Sequence, residues 1–118
     1  GQPPEQVFKT LVTKGASGAY YVFDIPVAEN LDLKKAAKAV GEKSVAMLPQ
    51  KELLPLTGYV HGGCSPVGMK KQFPTVFHET AVLYGTVCVS AGKIGHQVEC
   101  DPNALIALLR AKTADVIV

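Results

Sequence analysis

The residues most able to do chemistry in this chain crowd into one stretch, VHGGCSPVGMK, from Val60 to Lys70. Three glycines, a serine, a proline and a cysteine in so short a span exclude regular helix or strand. Three kinds of chemistry compete for it. Cys64 is a nucleophile only with a depressed pKa and a base beside it. His61 stands three positions upstream, but a dyad is made in space, and a cysteine in a turn serves equally as a small residue without chemistry. A phosphate cradle of the Walker type needs G-x-x-x-x-G-K-[ST]. Gly63 and Gly68 have that separation, yet Met69 stands where the lysine belongs and Lys70 is followed by Lys71, so the pattern fails. The third reading uses the backbone. Glycines let the main chain approach a ligand and aim N–H groups at an oxyanion or an ester carbonyl, and Pro66 stiffens the turn. A tight connection between elements accounts for the same residues.

Outside the loop, Lys9 is the residue to follow. It interrupts an apolar, threonine-rich run, VFKTLV, either as a solvent-facing strand lysine or as a cation turned into a cleft, available to a phosphate or to developing negative charge. Ser90 precedes a turn and can donate a hydrogen bond to a ligand or simply close that turn. Lys34, Lys35 and Lys38 track a phosphate backbone or form a solvated helix face. His61, His78 and His96 have no partner visible in the sequence.

Elements must position these groups, and the pattern supplies them. Val7–Thr13 and Ala19–Val27 read as two strands of a hairpin around KGASG. The second is apolar at nearly every position, as a strand buried on both faces would be. NLDLKKAAKAVG reads as a helix capped by Asp32 and ended by Gly41, with Leu33, Ala36, Ala37 and Val40 as its apolar stripe. KSVAML reads as a strand and PQKELLPL as one or two helical turns. FPTVFHE, GTVCVSAG and GHQVEC are further strands. DPNALIALLRAK is the clearest helix, with Asp101 as N-cap, Pro102 at its first position, an apolar stripe of Leu105, Ile106, Leu108 and Leu109, and Arg110 and Lys112 in its last turns. About six strands and three helices in mixed order make an α+β domain.

At 118 residues, 47% of them hydrophobic and 19% charged, the chain suits one folded domain, residues 1–118. A net charge of +2 permits nucleic acid as a partner without arguing for it. Three cysteines, Cys64, Cys88 and Cys100, form no disulfide framework and, with scattered histidines, no zinc pattern. Neither metal nor cofactor is expected. A reduced, cytoplasmic setting is the simplest reading. No apolar run reaches the roughly 20 residues of a membrane span, and no signal peptide is visible. The chain opens on Gly1 rather than Met, as a fragment of a longer product would.

Several stretches, in order, resemble the YbaK/EbsC aminoacyl-tRNA deacylases, relatives of the prolyl-tRNA synthetase editing domain: QVFKTLV, LDLKKAAKAVG, TGYVHGGCSPVGMKKQFPTVF and VSAGKIG. The resemblance covers nearly the whole chain, and its specific parts are the lysine–threonine strand and the loop from Gly62 to Pro66. It implies a mixed, barrel-like β-sheet with peripheral helices and a cleft for the 3′ end of a charged tRNA. It also implies removal of a wrongly attached amino acid, cysteine or alanine, from proline tRNA. By that resemblance Lys9 engages the terminal adenosine phosphate or the reacting ester, and Gly62, Gly63, Ser65 and Pro66 shape the aminoacyl pocket. The cysteine-specific branch is proposed to use the substrate's own thiol, which suits a site lacking an evident protein nucleophile.

The expected site is therefore Lys9 and Gly62 as catalytic groups, with Thr10, Gly63, Ser65, Pro66, Ser90, Gly92 and Gln97 around the substrate. Lys34, Lys35, Lys38, Lys70, Lys71 and Lys93 are the candidates for the tRNA backbone. The expected activity is trans-editing of Cys-tRNA(Pro), with prolyl-tRNA synthetase as a possible partner. The alternatives are an Ala-tRNA(Pro) deacylase and a non-catalytic module that binds tRNA or protein. The chain departs from the family pattern in lacking a leading strand and helix, in carrying Gln97 where an aspartate is frequent, and in carrying His78 where an aspartate is common.

Overall fold

The computed structural model describes residues 3–118; Gly1, on which the expectation of a longer product rests, lies outside them. The alternating run after Val7 folds as expected into β1 (Phe8–Gly15), and the apolar run after Ala19 into β2 (Tyr20–Pro26). They pair antiparallel, with Lys9 opposite Ile25 and Thr10 opposite Asp24. Gly18 closes the turn at φ +94°, a backbone conformation that costs a side chain dearly.

Helix α1 (Leu33–Val40) begins where Asp32 Oδ1 accepts the amides of Lys34 and Lys35, both at 3.0 Å, and ends on left-handed Gly41. Strand β3 (Val45–Met47) follows, then α2 (Gln50–Thr57), β4 (Thr75–His78), β5 (Val87–Ser90) and β6 (Gln97–Cys100). Helix α3 (Pro102–Leu109) is capped by Asp101, which accepts the Asn103 amide at 2.8 Å. Short 3-10 turns occupy Pro4–Gln6, where no element was expected, and Glu79–Leu83, which takes the last residue of the expected strand FPTVFHE.

Two expectations need correction. The final helix stops three residues early: Arg110 takes a left-handed conformation (φ 52°) as its C-cap, and Lys112 begins a seventh strand, β7 (Lys112–Ala114). The sheet is also not a closed barrel. Its order is β3-β1-β2-β4-β7, mixed in direction because β2–β4 and β4–β7 are parallel, while β5 and β6 form a separate antiparallel ribbon. Edges β3 and β7 never meet, so the α+β class holds and the barrel does not.

Side chains on a strand alternate between faces, and the core follows that alternation. One face carries Phe23 and Ile25 with Val76, packed on Ala36 and Ala37 of α1 and on Val45 and Val116. The other carries two separate clusters. Val12 and Val22 pack with Leu53, Cys64, Met69 and Phe73, while Phe8 and Phe77 pack with Val87, Val89, Leu105 and Leu109. Thr10 and Asp24 sit between them on that same face. No helix among the described residues is long and apolar enough to cross a membrane.

Candidate active site

Strand β1 is paired along its length with β2, but its other edge is covered only in part. It meets β3 at Thr13–Gly15, and Val7, just before the strand, bridges in parallel to Cys88 of β5. Between those points a cleft of about 350 Å³ opens, walled by Val7–Leu11 on one side and by the glycine loop and the β5–β6 turn on the other. That volume lies at the lower end of the range for small-molecule sites. Lys9, Thr10, His61, Gly62, Cys64, Ser90, His96 and Gln97 supply its chemical character.

Lys9 and Gly62 therefore line the same cleft, a point the sequence alone left open. Lys9 has no ion-pair or hydrogen-bond partner among the described residues and is half-buried, so its cation is available. The loop offers backbone donors as well. Gly63 N–H is spent on Val60 O at 3.0 Å, whereas the amides of Gly62 and Cys64 have no partner among the described residues. Gly62 stands at φ +85°, the left-handed region.

Gly63 has a different use. A Cβ there would lie 3.1 Å from Ile94 N and 3.3 Å from Lys93 C, so the glycine lets the loop seat directly on the β5–β6 turn. Gly63→Ala should cost about 1–3 kcal/mol of stability as the two backbones are forced apart, read as a lowered midpoint in thermal or denaturant unfolding; a wild-type midpoint would contradict this packing role.

Ser90 is set up as a donor. Its oxygen accepts the Gly92 amide at 3.2 Å, and its own proton has no acceptor among the described residues. Thr10 is set up the opposite way, since its hydroxyl donates to Asp24 Oδ1 at 2.5 Å. Asp24 is wholly buried, and its Oδ2 has no hydrogen-bond partner among the described residues. Burial pushes its carboxyl up to about 7, partly opposed by the Thr10 hydrogen bond. Sequence reading missed Asp24 by absorbing it into an apolar run; the visible signal was an acid inside a strand otherwise fit for burial on both faces. It also missed His61 and His96 as cleft residues, which only the folded turns bring together.

The other expected residues are dispersed. Ser65 is buried and accepts the Val67 amide at 3.2 Å, and Pro66 is fully buried behind the loop, so both stiffen it from within. Gly92 adopts φ +98° against the Tyr59 ring. Lys34 and Lys38 line a separate hollow beside β3. Lys35 is held by Asp115 and by Ile117 O, both at 2.9 Å. Lys70 donates to Pro55 O at 3.3 Å, and Lys71 lies over the Phe73 ring at 6.0 Å. The Lys93 backbone packs against Gly63. His78 lies outside the cleft, where its Nδ1 is 3.3 Å from the Val116 amide and 3.8 Å from Asp115 Oδ1.

Cys64 lines the cleft but is unsuited to attack. Burial, then the nearby Asp24, pushes its thiol up to about 12, so no useful thiolate fraction exists at neutral pH. Cys64→Ser should leave any turnover within about threefold of wild type, since no thiolate is used; loss of activity with the fold intact would restore the cysteine as nucleophile.

The structure is a mixed α+β domain with a sheet-edge cleft lined by Lys9, Thr10, Gly62 and Ser90. The chain belongs to the aminoacyl-tRNA editing domain family, whose model matches residues 1–108. It is 50% identical over 111 residues to the Enterococcus faecalis protein EbsC, provisionally named a Cys-tRNA(Pro)/Cys-tRNA(Cys) deacylase, covering 94% of this chain and 68% of that one. Among solved structures, one described provisionally as a trans-editing enzyme for prolyl tRNA synthetase superposes with a TM-score of 0.90 at 31% identity, covering 100% of this chain and 74% of the other. A scaffold protein from computational epitope grafting superposes with a TM-score of 0.92, also at 31% identity, over 100% of this chain and 75% of the other.

Proposed function

We propose that this domain is a trans-editing deacylase that clears cysteine from mischarged proline tRNA, with the cleft along β1 as its active site. The observation that carries this reading is the convergence of Lys9, Gly62 and Ser90 on one cleft whose only cysteine is held protonated. An aminoacyl ester is already activated, so catalysis needs positioning and a place for the developing oxyanion. The Gly62 and Cys64 amides and the Ser90 hydroxyl are donors for that oxygen. Lys9 is the counter-charge, for the oxyanion or for the terminal phosphate.

With no protein thiolate available, the attacking group is a water or the substrate's own thiol. In the second case the cysteinyl sulfur bonds to the ester carbonyl carbon and the ester C–O bond breaks. The tRNA 3′-oxygen takes up a proton, and the amino acid leaves as a cyclic thioester. Water attack gives free cysteine instead. A cleft near 350 Å³ suits a small side chain, and pocket size alone separates cysteine from alanine by only about 1–3 kcal/mol. The EbsC name and the editing-domain match support the same substrate class.

The test is single-turnover deacylation of cysteinyl-, alanyl- and seryl-tRNA(Pro). Substrate-thiol chemistry predicts that cysteinyl-tRNA is cleaved fastest and that seryl-tRNA, of similar size, reacts poorly. Equal rates for the cysteinyl and seryl esters would favour an activated water. Faster alanyl cleavage would move the specificity to alanine, and tRNA binding without any turnover would leave a binding module.

A further inference from the structure

The Thr10–Asp24 pair asks for an explanation that packing does not give. Asp24 occupies the centre of the sheet, on a face otherwise filled by Val12, Val22, Phe8 and Phe77. A buried carboxyl there costs stability, and one of its oxygens has no partner among the described residues. Its other oxygen accepts from the hydroxyl of a residue that lines the cleft.

A threonine hydroxyl has one proton to give and lone pairs to receive. With that proton committed to Asp24, the free lone pairs of Thr10 are what the cleft is offered. Thr10 is thus an acceptor in a cleft whose other organised groups, Lys9, Ser90 and the Gly62 amide, are donors. The ligand group that fits an acceptor backed by a carboxylate is a cation with N–H to give.

We propose that Asp24 is a positioning residue which, through Thr10, makes the cleft select the free α-ammonium group of an aminoacyl ester over an N-blocked acyl group. This rests on the deacylase reading for the identity of the ligand. Lys9 shares the cleft and repels an ammonium, and consecutive strand residues point to opposite faces. The Lys9 cation and the Thr10 acceptor thereby orient the substrate, with the amine toward Thr10 and the ester oxygen or phosphate toward Lys9. An N-acylated or peptidyl ester has neither the positive charge nor a tetrahedral N–H donor set, and the cleft discriminates against it.

The probes are a non-hydrolysable cysteinyl adenosine, with an amide in place of the ester, and its N-acetyl derivative, binding to the whole chain by calorimetry. Wild type should bind the free amine at least about tenfold more tightly than the acetylated form, the effect of one charge-assisted hydrogen bond. Asp24→Asn presents an amide that donates as readily as it accepts, so the Thr10 proton is no longer committed and the preference should shrink to about twofold. Thr10→Val, which keeps the β-branched shape, should do the same if the Asn variant folds poorly. No preference in wild type, or full preference retained in both variants, overturns the proposal. Turnover of cysteinyl-tRNA is followed separately. A preference for the amine without turnover upholds the role of Asp24 while removing the deacylase reading.

Discussion

Lys9→Ala should lower kcat/KM for cysteinyl-tRNA(Pro) by about a hundred- to a thousandfold, in line with the loss of one preorganised group at a developing charge, about 2.7–4 kcal/mol. The lysine has no partner among the described residues to leave stranded. It contributes no side chain to any of the three core clusters. Its removal should therefore leave unfolding within about 0.5 kcal/mol of wild type, as for substitutions that break no buried contact. The split between kcat and KM tells which role the cation plays. A fall confined to kcat places the charge on the oxyanion, whereas a rise in KM with kcat preserved places it on the phosphate. Full activity in the variant would remove Lys9 from the mechanism.

The second large effect is on stability and comes from Asp24. Its folded-state pKa of about 7 lies above the ordinary carboxylate value of 3.8, so the native state holds this proton more tightly than the unfolded chain does. Stability from this group is complete below about pH 4 and is lost as the pH rises through 7, an effect on the order of 4 kcal/mol over the whole span. Between pH 5 and pH 8 the loss should be about 2–3 kcal/mol, roughly 10 °C in Tm for a domain of this size. Asp24→Asn cannot ionise and should lose much less over the same interval. Parallel Tm profiles for the two proteins would show that Asp24 titrates normally. Cys64 and Cys100 lie within its electrostatic reach, and both thiols are held up by burial, so neither contributes a charge to that window.

Much of the framework was readable from residue pattern because it is set locally. Asp32 and Asp101 announce their helices through side chains that satisfy amides two and three positions on. The hairpin follows from two alternating runs joined by glycine. What escaped was set by distant contacts. Strand β7 is three residues long, directly follows an apolar helix, and exists because Phe77 and its neighbours pair with it in parallel from far along the chain. Closure into a barrel was an expectation from resemblance, and no local pattern bears on it.

The site divides the same way. Lys9 and the glycine loop stood out by residue type, but only the uncovered edge of β1 shows that they share a cleft. Ser65 and Pro66 drew notice as loop chemistry and are buried within the folded loop. Asp24 was the reverse case, a buried acid hidden among apolar neighbours, and the pairing of Thr10 with it is a register fact that no linear motif carries.

On the deacylase reading, the aminoacyl end of the tRNA sits in the cleft along β1. The most direct measurement is a backbone-amide NMR titration with the non-hydrolysable cysteinyl adenosine. Shifts should concentrate at Lys9, Thr10, Gly62, Cys64 and Ser90. Shifts gathered instead around Lys34, Lys38 and Lys43, at the hollow between α1 and β3, would contradict the account.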